Sequence, residues 1–396
     1  MSPDPDIIIV GGGLEGLSTA WALAQRGERN VLVLERHTLC SGGTAKSSGI
    51  VRCHYGVPSL AAMAWTGLQV FENASDLLDA DIGFRQTGYV VGVGPENVAA
   101  LEANVAMHRH LGIDVQMISH DGAQELWPHA DLADFAAFAY EPRGGCGDAY
   151  QTGQAYAHAA RRLGVSIRQY APVTEVTVDA SGRATGVVVG GTEHIGADSV
   201  VVAAGPWSVA LCKPLGIDLP IRAQREQILL INAGEVMRDV PVFSDLVSLQ
   251  YVRSERSGEL LVGNSDHTRP EFADPDHYSS QADDSYLADA VEKLDHRLPK
   301  LPNPRLSSTY AGCYDVTPDY NPILSATPVG ALYICAGFSG HGYKISPAVG
   351  NLMADIVTQG QSSDPDIKAE DFRLERFEQN RPLQSQHPYV GAGQMR

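Results

Sequence analysis

The residues best placed to do chemistry stand at two glycine-rich points of the chain. At the first, Gly11, Gly13 and Gly16 have G-x-G-x-x-G spacing directly after the apolar run Ile7 to Val10, and Glu35 closes a second apolar run, Val31 to Leu34. Gly11 permits a tight turn, Gly13 lets backbone N–H groups approach a pyrophosphate, and Gly16 lets a helix pack closely on a strand. The helix N-terminus then meets phosphate charge, and Glu35 is placed to accept hydrogen bonds from a ribose. Leu14 and Glu15 inside the turn, and Arg36 beside the acid, are further candidate contacts. At the second point, Gly337-Phe338-Ser339-Gly340-His341-Gly342-Tyr343-Lys344 follows the strand-like run Leu332 to Ala336. Its glycines bring backbone against a ligand. Ser346 as N-cap and Pro347 as first helical residue predict a helix start whose partial positive charge would stabilise a reduced flavin. A nicotinamide protein needs no such second anchor. An FAD, whose ring system must reach far from its ADP half, does.

The elements that must position these residues follow from periodicity. Leu17, Trp21 and Ala24 recur at helical spacing between the two apolar runs, and Gly27 is placed to cap that helix. The loop Ser41 to Gly49 is nearly free of bulky side chains, so Gly43, Thr44, Ser47, Ser48 and Gly49 can lie against a ligand. Helices are expected over 59–80, 96–111, 152–163 and 286–298, with a short helical turn at 124–128. Strands are expected over 88–94, 173–178 (Val173 a candidate contact), 184–189, 199–203, 221–232 and 247–263. Ser199 to Ala203 runs into Ala204-Gly205-Pro206-Trp207, which marks a return to the nucleotide-binding unit and adds Ala204, Gly205 and Trp207 to the candidate contacts. The expected fold class is α/β. A Rossmann-like, discontinuous FAD-binding domain comprises 1–82, 146–215 and 313–370. An α+β substrate domain with a mostly antiparallel sheet comprises 83–145 and 216–312. A surface helix and loose tail follow at 371–396.

Composition narrows the function. A chain of 396 residues exceeds one compact core, and 44% apolar with 19% charged residues is ordinary for a globular protein. The net charge of −18 argues against nucleic acid or an anionic membrane as partner, so an anionic substrate needs a local basic pocket. The six cysteines include no C-x-x-C pair, which fits free thiols in a reducing compartment better than a disulfide frame or zinc site; no metal site is expected. The first strand begins too early to follow a signal peptide, and no apolar stretch is long enough to span a bilayer, so a cytoplasmic protein without membrane insertion is expected.

Taken together, the G-x-G-x-x-G unit, Gly42 to Arg52, Ala203-Ala204-Gly205-Pro206-Trp207, Tyr314-Asp-Val-Thr-Pro-Asp319 with Pro322-Ile-Leu, and Gly337 to Lys344 resemble the D-amino-acid oxidase superfamily of FAD proteins, in its sarcosine oxidase branch. The resemblance covers nearly the whole chain. It implies a two-domain flavoenzyme that oxidises a C–N bond of small amino acids, often N-methylated ones, by hydride transfer to flavin N5 to give an imine. It also implies that Arg52 and Lys344 hold the substrate carboxylate, and that Tyr314 and Tyr251 stand around the substrate. A fixed arginine and lysine suit an acidic protein that must hold an anion.

Three departures from that branch shape the expectation. Monomeric sarcosine oxidase links its flavin through a cysteine two residues before the motif tyrosine, where this chain has Gly312; Cys313, one residue on, falls on the opposite face of a strand. Dimethylglycine and sarcosine dehydrogenases use a histidine in the small-residue loop, where Lys46 stands, so noncovalent FAD is expected. The oxygen-activating lysine of monomeric sarcosine oxidase is matched by Leu261, with Leu260 and Val262 beside it, which favours an acceptor other than oxygen. One alternative is a β-type catalytic subunit of a multi-subunit proline, hydroxyproline or opine dehydrogenase, passing electrons to a partner subunit. Another is a noncatalytic FAD-binding protein.

Overall fold

The computed structural model describes residues 4–28, 30–234 and 237–391. Ile7–Val10 lies inside a six-stranded sheet because all four of its side chains are buried, the pattern of a strand covered on both faces. The strand order is Ile323–Ala326, Leu332–Ala336, Ser199–Val202, Ile7–Val10, Val31–Leu34, Ser166–Arg168. Every neighbouring pair is parallel except the antiparallel edge strand Ile323–Ala326. Side-chain alternation divides the core. Ile7 and Ile9 pack with the helices Leu14–Gln25, Pro58–Glu72, Ala149–Arg162 and Gly342–Gln359. Ile8 and Val10 face the antiparallel meander Val173–Val178, Ala184–Val189, Glu193–Gly196. Helices Leu14–Gln25 and Gly342–Gln359 approach so closely that a Cβ on Gly350 would lie 2.3 Å from Ser18 Oγ.

The second sheet has eight strands in the order Arg305–Val316, Arg222–Asn232, Glu259–Asn264, Gln250–Ser254, Val242–Asp245, Tyr89–Val93, Ala137–Glu141, Gln116–Ile118. All its neighbours are antiparallel except Val242–Asp245 with Tyr89–Val93. Leu229, Ile231, Leu260 and Val262 bury one face, with Leu294 of the helix Asp284–Arg297. Tyr314 and Tyr251 stand on the other face. This is the expected α/β class, a Rossmann-like parallel sheet joined to a mostly antiparallel one. Among the described residues no helix is long and apolar enough to cross a membrane.

Several local expectations are corrected. The helix over 59–80 breaks at Asn73 (φ −109°, ψ 22°) into Pro58–Glu72 and Ala74–Leu78. The strand Arg305–Val316 runs through the expected domain boundary at 313, because Tyr314, Asp315 and Val316 keep their pairing with Gln224, Ala223 and Arg222. The last long helix begins at Gly342, with His341 as N-cap, and contains Pro347 in its interior rather than starting there. Tertiary contacts override the local signal: Ser18 Oγ donates to the Ser346 carbonyl at 2.6 Å, and a Cβ on Gly67 would lie 1.9 Å from the Lys344 carbonyl. The segment beyond 371 is tied down through residue 391, where a loose tail is expected. Arg376 is buried against Asp319, the Gln386 N–H donates to the Gly56 carbonyl, and Tyr389 is 3% exposed. Residues 392–396 of that expected tail lie outside the described residues.

Candidate functional site

A cleft of about 590 Å³ opens where the parallel strands end, bordered by Val10, Leu34 and Ala203, the position at which open α/β sheets bind ligands. Gly11 has φ +113°, and a Cβ there would lie 2.3 Å from the Ala203 carbonyl oxygen; at Gly16 a Cβ would lie 2.1 Å from the Gly11 oxygen. Gly11 borders the cleft, whereas Gly16 does not and serves to close the turn. Gly13, Leu14, Glu15, Glu35, Arg36, Gly43, Thr44, Ser47 and Ser48 line the same cleft. The Glu35 carboxylate is oriented by two backbone N–H groups, Gly12 to Oε2 and His37 to Oε1, each at 2.8 Å. Thr44 Oγ1 accepts from the Leu14 N–H at 3.1 Å, which ties the small-residue loop to the glycine turn.

Val173, Ala204, Gly205 and Trp207 line the cleft from the meander side. The Arg36 guanidinium stacks 3.9 Å from the Trp207 ring centroid, and Asp276 accepts from both side chains, at 2.9 Å and 3.0 Å. From the second glycine-rich segment, Phe338, Gly340 and Gly342 reach the cleft. Gly337, Ser339, His341 and Lys344 do not. Gly337 (φ +81°) accommodates Thr317, Ser339 is fully buried, and His341 and Lys344 are buried around Tyr55. Gly49 also leaves the cleft: at φ +65° it packs on Gly147, whose oxygen would lie 2.1 Å from a Cβ.

Glu15 is the unexpected group, an acid inside a cleft read as anion-binding. Burial first, then the neighbouring Asp315 carboxyl, pushes its pKa up to about 8. At neutral pH it keeps its proton and presents a neutral group to the cleft. The folded chain thus binds a proton that an unfolded carboxyl, ordinarily at 4.5, has released. Stability of the FAD-free protein therefore falls as pH rises from about 4.5 to about 8, with a slope of at most about 1.4 kcal/mol per pH unit from this group. Melting temperature against pH should show that decline, and Glu15→Gln should flatten it.

The neighbouring buried group is built on Arg52-Cys53-His54-Tyr55. Arg52 is 7% exposed and Lys344 6%. The Arg52 guanidinium lies 4.3 Å and Lys344 Nζ 5.9 Å from the Tyr55 ring centroid, so one tyrosine brings both cations together. Arg52 Nη1 donates to the His54 carbonyl. Among the described residues no carboxylate lies within ion-pair distance of either cation. Burial, then Arg52, pulls the Lys344 pKa well below its usual value. His341 is held neutral by burial and by Lys344 and Arg52, and its Nδ1 lies 3.1 Å from the Tyr55 hydroxyl. Behind Arg52, Glu141 accepts the Cys53 N–H at 2.8 Å, and burial pushes it up to about 7. His54, His108 and Glu141 each offer a buried atom within 4.8 Å of the others, a grouping with metal-ligand chemistry that sequence spacing does not reveal.

Tyr314 joins the two pockets. It lines the cleft, and its ring covers Gly340, where a Cβ would lie 2.6 Å away. Tyr251 covers Gly263 on the same sheet face, and burial raises both phenols, which stay protonated. Gly312 meets Lys46 directly, with a Cβ there 2.5 Å from Lys46 Cβ. Cys313 borders the cleft from the strand's other face, its thiol pushed up to about 11 by burial. Leu261 is paired with Arg253, a buried cation on the adjacent strand, so the sheet face carries a cation that scanning the 258–263 segment misses. Arg253 belongs to a second cavity of about 590 Å³, with Arg85 and Arg256, that shares Thr44, Ser47 and Ala149 with the cleft.

The cleft residues fit an FAD. Gly11 and Gly16 leave no room for a Cβ, the oriented Glu35 carboxylate suits a ribose, a proton neutralises Glu15, and glycine backbone lies at the far end. Comparison with known proteins agrees. The chain is 29% identical over 393 residues to sarcosine oxidase subunit beta of an Arthrobacter species, covering 95% of this chain and 93% of that one. Its fold matches the crystal structure of L-proline dehydrogenase from P. horikoshii with a TM-score of 0.88 at 24% identity, covering 97% of this chain and all of that one. It also matches glycine oxidase from Geobacillus kaustophilus, with a TM-score of 0.77 at 23% identity over 96% and 98% of the two chains. The FAD dependent oxidoreductase family model matches residues 6–356, and the chain belongs to that family of FAD-dependent oxidoreductases.

Proposed function

We propose that this chain oxidises the C–N bond of a small amino acid, secondary or N-methylated, to an imine. The carrying observation is the pair of buried side chains at Tyr55, Arg52 and Lys344, that no carboxylate among the described residues meets at ion-pair distance. Two desolvated like charges are costly unless an anion joins them. A substrate carboxylate would supply that anion, with Arg52 able to bind it bidentately and Lys344 as a point charge. Tyr55, Tyr314 and Tyr251 would wall the site and fix the remainder of the substrate, so that orientation carries much of the catalysis. We assign His341 to positioning Tyr55, since its Nδ1 already meets that hydroxyl. FAD, when bound, supplies at N5 the acceptor for the hydride of the substrate's C–H bond. Gly11, Gly13, Glu35, Thr44 and Gly340 would hold it. Water hydrolyses the released imine where its structure permits.

With glycine at 312, lysine at 46 and a protonated thiol at 313, the flavin is bound without a covalent link. Acid precipitation of the holoprotein should release all yellow colour to the supernatant; colour retained in the pellet would count against this.

A second reading concerns the electron acceptor. No cation stands at Leu261 or its neighbours Leu260 and Val262, and the similar Arthrobacter protein is by name one subunit of a larger enzyme. We infer that electrons pass to a partner's carrier rather than to oxygen. Reduced enzyme mixed with air in a stopped-flow instrument should reoxidise slowly while artificial dyes turn over. Fast, saturating reoxidation by oxygen would overturn the inference.

A further inference from the structure

One polar cluster in the substrate sheet has no part in the chemistry above. On the strand Arg222–Asn232, Gln224 pairs with Tyr314 and Glu226 with Gly312, so both side chains share the sheet face of Tyr314. Gln224 is 2% exposed, and the side chains of His267 and Glu226 are 4% and 14% exposed. Gln224 Nε2 donates to Glu226 Oε1 at 2.6 Å, and His267 Nδ1 lies 3.4 Å from the same oxygen. Of the three remaining polar side-chain atoms of the cluster, Gln224 Oε1 accepts from Tyr320 and the other two are uncommitted. Glu226 Oε2 receives no hydrogen bond among the described residues, and His267 Nε2 is buried without a partner. No lysine or arginine among the described residues pairs with Glu226.

This cluster reaches the cation pocket through two residues. The Tyr320 hydroxyl donates to Gln224 Oε1 at 3.4 Å, and its ring lies 5.8 Å from His267. The Tyr320 backbone also hydrogen-bonds His341, whose ring meets the Tyr55 hydroxyl beneath Arg52. Cations therefore stand at one end of this network and an acceptor carboxylate at the other. One carboxylate oxygen, without a donor from the fold, and one buried ring nitrogen without a partner thus stand side by side, an acceptor and a hydrogen-bonding nitrogen open to a ligand.

Resting on the amino-acid oxidoreductase reading, we propose that Glu226, oriented by Gln224 and His267, selects substrates that carry a second hydrogen-bond donor, a hydroxyl or an ammonium, remote from the carboxylate held by Arg52 and Lys344. A hydroxyl can donate to Glu226 Oε2 and accept from His267 Nε2; an ammonium can donate to Glu226. A bare N-methylated glycine offers no donor that reaches this wall.

The test is anaerobic dye reduction by the holoenzyme with matched pairs: proline against 4-hydroxyproline, and N-methylalanine against N-methylserine and N-methyllysine. The donor-bearing member of at least one pair should have the higher kcat/KM, by about ten- to a hundredfold. Glu226→Leu should collapse that ratio towards one, and Glu226→Gln should lower an ammonium preference more than a hydroxyl preference. FAD content and melting temperature show that each variant is folded, and Gln224→Leu provides a second route should Glu226→Leu fail to fold. Turnover of these amino acids with a ratio that neither set of variants moves would overturn the inference alone. Failure of every amino acid to reduce the flavin would overturn the functional reading and this inference with it.

Discussion

Replacing Lys344 by methionine raises KM for every carboxylate substrate by about 10²–10⁴-fold and leaves FAD content unchanged. Lys344 lies outside the dinucleotide cleft and beside Tyr55, at 6% exposure, so its loss removes a charge from the substrate pocket without touching the glycine turn. Removing one partner of a buried charge pair typically costs about 3–5 kcal/mol, which sets the expected range. Arg52→Met should have an effect of similar size. The double variant should lose less than the product of the two, because each single variant already relieves the Arg52 repulsion that, after burial, lowers the Lys344 pKa. Burial and that repulsion together give a pH dependence. A lysine whose folded pKa is depressed loses its proton as pH rises through that value, so KM should climb on the alkaline side, and Lys344→Met should lack that limb. Steady-state kinetics across pH, with flavin absorbance as the control for cofactor content, checks both statements.

The second large effect separates two glycines that a spacing motif treats alike. Gly16→Ala should yield colourless or insoluble protein, since its Cβ would lie 2.1 Å from a backbone oxygen that cannot move without parting helix from strand. Gly13→Ala should fold, because the nearest atom to its Cβ is Thr44 Oγ1 at an ordinary 3.5 Å. Its cost should fall on FAD affinity alone, where the new methyl group stands between backbone N–H groups and the pyrophosphate. Melting temperature and FAD dissociation constant, measured on both variants, distinguish the two roles. Gly16→Ala with normal colour and stability would contradict the turn described here.

What could be read from the residues follows from how local each feature is. The strand, turn, helix, strand and acid between Ile7 and Glu35 form one contiguous unit, so spacing alone locates the cleft. Arg52 and Lys344 are distant in sequence and entered through family resemblance; nothing in their spacing reveals that Tyr55 brings them together. Glu226, His267 and Arg253 escape a linear scan for a different reason. Strand register across Arg222–Asn232, Arg305–Val316, Gln250–Ser254 and Glu259–Asn264 decides which side chains share the face of Tyr314, and it sets Arg253 beside Leu261. The start of the last long helix is misread from sequence because Ser346 and Pro347 are a strong local cap signal, overruled by contacts from Ser18 and Gly67. Short strands such as Glu193–Gly196 and Gln116–Ile118 carry too few residues for alternation to register.

The central claim is that a flavin held in the glycine-lined cleft accepts electrons from an amino acid whose carboxylate is gripped by Arg52 and Lys344. Anaerobic titration of the purified holoprotein with small amino and imino acids, followed at the flavin's visible absorbance band, tests it most directly. Bleaching by at least one carboxylate-bearing amine, weakened in Lys344→Met, is the result expected. Bound flavin that no such amine bleaches, or bleaching equally efficient without Lys344 and Arg52, would contradict it.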